Sequence, residues 1–197
     1  MREFNLEKIL KTVSSKNPFP EEANSFKFLD IEIGAGTGMF ALDYSLKNKN
    51  RALISVEKTS VKFLKFKNAF KKERRENLFP VHDNGISWSA HHLKKQSVDR
   101  FFFLYPNPNP KPGDLNKRFY AMPFMGFVIS RLKDSGEIFF ATNELFYRDE
   151  AITFMTKEWG LRLNHNIIIK KSDNPITLFE KKYLERGQPC YHFSFIK

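Results

Sequence analysis

The sequence predicts a doubly wound α/β fold, and three observations carry that expectation. Short apolar runs recur along the chain with helix-length segments between them, the spacing of parallel strands joined by crossover helices. The first of these runs ends in a cluster of glycines, and acidic residues stand at the ends of the next two. With 197 residues, 41% of them hydrophobic, the chain has the size and apolar content of one compact domain with short extras.

Residues 4–14 fit a short amphipathic helix, which Asn17-Pro18-Phe19-Pro20 breaks. Residues 1–25 are therefore expected as a partly helical N-terminal extension to a domain spanning 26–197. Residues 26–33 form a near-continuous apolar run, as a strand buried on both faces requires. A helix follows over 39–46, a second strand over 51–57, and a long basic helix over 59–77 with Thr59 or Ser60 as its cap. A short third strand fits 78–82, and a strongly apolar fourth, 98–105, is closed by the proline-rich loop 106–112. A helix is expected over 116–132 despite Pro123 and Gly126, then a turn at 134–136 into a fifth strand, 137–141. A helix over 145–159 ends at Gly160, and 162–170 alternates before running apolar. Residues 177–186 read as helix, stopped by Gly187 and Pro189, and 191–196 as a final strand. No long crossover precedes that strand, so it is expected to run antiparallel. Right-handed crossovers gather the strand-end loops on one ligand-binding edge.

Composition narrows the class. A net charge of +11 and a pI near 9.7 point towards a polyanionic partner. The longest apolar stretches, such as 121–129, reach about half a membrane span and contain Pro123, so no membrane role is expected. Glu3, Glu7, Lys8 and Lys11 interrupt the apolar runs of the N-terminus, unlike a secretory signal, and a cytoplasmic protein is expected. Cys190, the single cysteine, excludes an internal disulfide and a Cys-rich zinc site; it reads as a packed thiol. His91-His92, with His82 and Asp83 upstream, lack a second ligand set at fixed spacing, and no metal is expected. Trp88, Trp159 and most of the 22 phenylalanines read as core. Nothing in the sequence fixes an oligomeric state.

The chemistry sits at the strand ends. In Glu32-Ile33-Gly34-Ala35-Gly36-Thr37-Gly38, glycines at alternate positions allow a tight turn and close backbone approach to a ligand. The spacing G-x-G-x-G is shorter than the dinucleotide G-x-G-x-x-G and leaves less room for a pyrophosphate. Glu57 ends the second strand where an acid in such folds reaches ribose hydroxyls, although it could equally cap the helix behind it. Asp83, in His82-Asp83-Asn84, is suited to an adenine amino group; Lys58 and Asn84 complete the candidate contacts. Together these describe an adenosine-type pocket without a phosphate-binding lysine loop, which suits S-adenosylmethionine better than ATP or NAD.

Three further segments accompany the glycine loop: Leu104-Tyr105-Pro106-Asn107-Pro108-Asn109-Pro110-Lys111 with Asn116-Lys117-Arg118 behind it; Ala141-Thr142-Asn143; and Thr177-Leu178-Phe179-Glu180 with Arg186-Gly187 following. In this order over 26–197 they resemble the bacterial tRNA (guanine-N7)-methyltransferase family. The resemblance implies the seven-stranded class I methyltransferase (Rossmann-like) sheet, S-adenosylmethionine as cofactor and tRNA, methylated in its variable loop, as partner. It puts the cofactor on Glu32, Glu57 and Asp83 with the Gly34–Gly38 loop beneath its methionine part, Asn107 at the catalytic position, and Lys111, Asn143, Thr177 and Glu180 around the substrate guanine. Lys111 and Lys117/Arg118 would hold phosphates. Asn107 and Asn143 stand where the family has aspartates and Asn109 where it has tryptophan, so altered activity is expected.

Two other readings stay open: a non-catalytic RNA-binding protein that kept the fold, and a methyltransferase acting on exocyclic or amide nitrogens. The latter expects Asn/Asp-Pro-Pro-aromatic, whereas Asn109 and Pro110 occupy the last two places here. The basic segment 58–76 is expected to meet RNA or solvent on its lysine face and to bury Val61 and Leu64.

Overall fold

The structure, a computed structural model, describes residues 3–171 and 174–197; Met1 and Arg2 of the expected extension and Ser172 and Asp173 lie outside it. Seven strands form one sheet in the order β3-β2-β1-β4-β5-β7-β6. They are β1 (Phe28–Ile33), β2 (Arg51–Val56), β3 (Leu78–Val81), β4 (Val98–Leu104), β5 (Leu132–Thr142), β6 (Arg162–Ile169) and β7 (Cys190–Ile196). β1 to β5 pair in parallel, while β7 runs antiparallel to both β5 and β6. The doubly wound expectation and the antiparallel last strand both hold.

Successive residues of the central strands alternate between two apolar layers, as the two-residue period of a strand dictates. In β4, Phe101 and Phe103 join a cluster with Trp88, Phe124, Tyr147 and Phe140, while Phe102 and Leu104 face Ala41, Leu42 and Phe66. Phe103, Phe140 and Phe193 stack across β4, β5 and β7, with centroids 5.1 and 5.4 Å apart. Burying a phenylalanine fully stabilises the fold by about 1.5–3 kcal/mol, and this ladder takes up three of the 22 phenylalanines.

The helices are α1 (Leu6–Thr12), α2 (Met39–Lys47), α3 (Ser60–Glu73), α4 (Gly85–His92), α5 (Pro123–Arg131), α6 (Leu145–Thr153) and α7 (Leu178–Glu185). Several differ from expectation for identifiable reasons. The expected helix 116–132 is two 3-10 turns, Pro112–Lys117 and Phe119–Ala121, followed by α5. Pro123 does not interrupt that helix; it starts it, where a missing N–H costs nothing. The expected turn at 134–136 lies inside β5 as a bulge, with Ser135 at φ 63°. The helix expected over 145–159 is α6 to Thr153 and then a π-helical turn, Phe154–Glu158. α4 was not anticipated; Asn84 caps it, its side-chain oxygen accepting from the Ile86 and Ser87 amides.

α3 also presents a different face from the one expected. Phe66 is buried, with Phe63, Ala69 and Phe70 packed beside it, whereas Val61 and Leu64 are 68% and 58% exposed. Three bulky aromatics at helical spacing outcompeted the two aliphatics for the sheet. At the N-terminus, Phe4, Leu6, Ile9 and Phe19 pack on the core, and Asn17 Nδ2 donates to the His82 carbonyl at 2.7 Å. No helix among the described residues is long and apolar enough to cross a membrane.

Candidate active site

β1 runs directly into the glycine loop. Gly36 and Gly38 sit at φ 59° and 85°, left-handed values that L side chains rarely adopt. A Cβ on Gly38 would also lie 2.0 Å from the Phe66 ring, whereas at Gly34 and Gly36 it would meet nothing within 4 Å. The loop therefore borders open space. Its backbone is held from beneath: Gly34 and Ala35 donate to the Val56 carbonyl, and Gly36 N donates to Glu57 Oε2 at 2.8 Å. Glu57 Oε1 accepts from the Thr59 amide at 2.7 Å, so the same carboxylate ties the loop to the start of α3.

Around this space the strand ends enclose a cavity of about 530 Å³. Among its lining residues are Glu32, Gly34, Gly36, Glu57, Lys58, Asn84, Asn107 and Thr177, which separate segments of the sequence contribute. Glu32 is buried, and its Oε2 has no hydrogen-bond partner among the described residues. Burial, reinforced by the Glu57 charge, pushes its carboxyl up to about 7. An unsatisfied buried carboxylate oxygen on a cavity wall is costly and calls for a polar or cationic partner.

The other site candidates lie off the wall. Gly38 caps α2. Asp83 is turned towards the N-terminal segment, accepting from Ser15 Oγ at 3.0 Å, Lys16 N at 2.7 Å and Asn84 N at 2.7 Å. Asn143 donates to Glu144 Oε1 at 2.9 Å, which places a carboxylate one residue beyond the neutral position. Lys111 is exposed on the proline-rich loop.

That loop is clamped by Arg118, which does not meet the phosphate-holding expectation. Arg118 is 4% exposed, and it donates to the carbonyls of Asn109 and Lys111 at 3.0 and 3.1 Å and to the Glu150 carboxylate. A buried guanidinium spent on two loop carbonyls is an organiser, not a surface cation. Lys117 remains at the surface, paired with Asp114 at 2.8 Å.

Glu180 lies behind the wall and is 1% exposed. It accepts from Tyr105 Oη at 2.7 Å and from Ile176 N at 3.2 Å, and His192 Nε2 lies 2.6 Å from Oε2. Burial opposes its ionisation, but the His192 and Tyr105 hydrogen bonds outweigh that and hold the carboxyl below its usual range. Thr177 caps α7, its Oγ1 accepting from the Glu180 amide at 3.0 Å.

Sequence reasoning placed Lys62 on the basic helix alone and gave no site role to Tyr105, Ile86, Phe119, Phe179 or Lys182, and all six line the cavity. Phe179 was within view, since it sits inside a quoted motif; its outward orientation was not. Tyr105, at φ 50° immediately before Pro106, occupies a strained conformation at the end of β4.

Against known proteins, a family model described as "Putative methyltransferase" matches residues 27–193. A tRNA (guanine-N(7)-)-methyltransferase of Chlamydia abortus is 26% identical over 167 residues, 84% of this chain and 75% of that protein. One from Ureaplasma urealyticum is 28% identical over 179 residues, 85% of this chain and 79% of that protein. Among solved structures, an antibiotic-related methyltransferase superposes with a TM-score of 0.61 at 15% identity, covering 100% of this chain and 96% of that one. At that identity the likeness concerns the fold.

Proposed function

The chain belongs to this methyltransferase family, and on that premise we propose that it transfers a methyl group from S-adenosylmethionine to N7 of a guanine in the variable loop of tRNA. The observation that carries the reading is the cavity into which β1, β2 and β4 deliver Glu32, the glycine loop, Glu57 and Asn107. The names of the relatives supply the guanine and the tRNA.

The cavity fits the cofactor. The partnerless Glu32 Oε2 suits a cationic amino group, the open space above Gly34 and Gly36 leaves room for the methionine part, and the remaining lone pairs of Glu57 suit ribose hydroxyls. Asn84, Gly85 and Ile86 line the cavity beside the turned-away Asp83 and would border the adenine. Bound there, the cofactor supplies an electrophilic methyl on a sulfonium.

Guanine N7 carries a lone pair that is unprotonated at neutral pH, so the chain needs no strong general base. Its task is to hold N7 in line with the methyl, a positioning effect worth several kcal/mol. Asn107, exposed on the cavity wall, presents its amide to the base, whereas Asn143 lies off that wall with its amide donating to Glu144. Attack moves positive charge onto the purine, and acceptors beside the ring follow that charge. Neutral amides follow it less strongly than carboxylates, so the reaction runs more slowly here than with aspartates.

The test is mass spectrometry of unmodified tRNA incubated with the protein and isotopically labelled S-adenosylmethionine. Label in 7-methylguanosine from the variable loop supports the reading. Label on an adenine or an exocyclic nitrogen overturns it, as does an unlabelled tRNA when calorimetry shows cofactor binding.

A further inference from the structure

We infer that Phe179 is the stacking platform for the target base, and that its ring face supports the positive charge which the neutral Asn107 leaves uncompensated. The inference rests on the guanine-N7 reading above. Four aromatic residues line the cavity: Phe40, Tyr105 and Phe119 are half-buried, and Phe179 is 44% exposed. An exposed phenylalanine on a cavity wall, with the exposed Leu178 beside it, keeps apolar surface in water at a cost unless a ligand covers it.

The local structure holds that ring in place. Glu180, the next residue, is drawn inward by Tyr105, His192 and the Ile176 amide, and this fixes the first turn of α7 with Phe179 partly exposed beside it. Tyr105 and Tyr183 back the ring, with centroids 6.5 and 6.4 Å away and planes within 27° and 21°. Their near-parallel planes leave the set facing one direction, the geometry of a rigid stacking surface. Lys62 Nζ stands 5.6 Å from the Phe179 centroid, and a base that stacks there displaces it from the ring towards the phosphates. The proline-rich loop offers no alternative, since its third position is Asn109.

The chemistry of the substrate matches this surface. A guanine is flat and stacks on any aromatic face. Once N7 bonds to the methyl carbon, the purine carries a positive charge, which the negative face of a ring attracts. Stacking therefore strengthens along the reaction, and Phe179 acts on kcat as well as on KM.

Wild type, Phe179→Leu and Phe179→Trp are compared in steady-state methylation of unmodified tRNA and in binding of 7-methyl-GMP and GMP by NMR titration. Phe179→Leu is expected to lower kcat/KM for tRNA about tenfold or more, with Phe179→Trp within about threefold of wild type. Cofactor affinity, measured by calorimetry, should stay within about twofold in all three, since the ring is exposed and the glycine loop untouched. Wild type should prefer 7-methyl-GMP to GMP, and Phe179→Leu should lose that preference. Equal kcat/KM in wild type and Phe179→Leu, or equal damage from Leu and Trp, overturns the inference. If wild type methylates no tRNA, the functional reading fails; the nucleotide titration then decides Phe179 alone, and an unchanged preference in Phe179→Leu removes it.

Discussion

Glu32 is a carboxyl that burial makes reluctant to ionise, with Glu57 nearby adding to the effect. Its folded-state value of about 7 lies above the ordinary 4.5, so the folded chain holds this proton more tightly than the unfolded one. The group's contribution to stability is therefore full below about pH 4.5 and is lost as pH rises to about 7, a loss on the order of 3 kcal/mol. Glu32→Gln should melt at nearly the same temperature at pH 5 and pH 8, where wild type loses stability. A cationic ligand inverts the sign, because it favours the carboxylate: cofactor affinity should rise from pH 5.5 to 7 in wild type, by no more than tenfold per unit, and stay flat and weak in Glu32→Gln. A pH-independent wild-type affinity would remove Glu32 from the site. At Asn107 the expectation runs the other way. Asn107→Asp restores charge beside the base and should raise kcat by roughly fivefold, the worth of about 1 kcal/mol when a hydrogen bond gains a charged partner; a rate at or below wild type refutes the assigned role. These two residues were legible because each stands at a strand end in a local motif. The partners of Asp83 were not, since Ser15 lies far off in sequence and reaches it only through the folded N-terminus.

Elements were read well where one physical cause dominated and poorly where two competed. β1, β2 and β4 are largely apolar and buried along most of their length, and their ends came within two residues of expectation. Around Pro123, apolar content argued for one long helix while proline chemistry argued for a start, and the proline prevailed. That outcome shapes the site, because the 3-10 turns before α5 carry Arg118 to the proline-rich loop. Arg118→Met leaves two loop carbonyls and the Glu150 carboxylate without their cation, which should cost about 3 kcal/mol and lower the melting temperature by about 6–12 °C. Methyl transfer should fall with it, as Asn107 loses its fixed place, while cofactor affinity stays within a few-fold because the glycine loop belongs to β1. Lys117→Met, which breaks only an exposed pair with Asp114, is the control and should do neither. Full transfer activity in a destabilised Arg118→Met would show that the clamp serves stability alone.

At the scale of the whole molecule, the +11 charge acquires a direction. Lys62 lies on the cavity wall, and Lys65 and Lys72 continue along α3 at helical spacing, exposed, on the side away from the buried Phe66. The sequence revealed that the helix was basic but misassigned its apolar face, because Val61 and Leu64 fit a helical stripe as well as Phe63, Phe66 and Phe70 do; only the volume to be filled beneath α3 separates the two. With the aromatics inward, the lysines point outward beside the site. If they contact tRNA phosphates, each neutralised phosphate releases condensed counterion, so affinity falls with salt at a slope of about 0.7–0.9 per contact. Reversing Lys65 and Lys72 to glutamate together should therefore reduce the slope of log K against log salt by about 1.4–1.8. Cofactor affinity is the internal control, since Glu32, Glu57 and the glycine loop are unchanged. A reduced slope with intact cofactor binding places the RNA along α3, across the mouth that Phe179 borders; an unchanged slope moves the RNA to another face and leaves α3 as a solvated cover for the sheet.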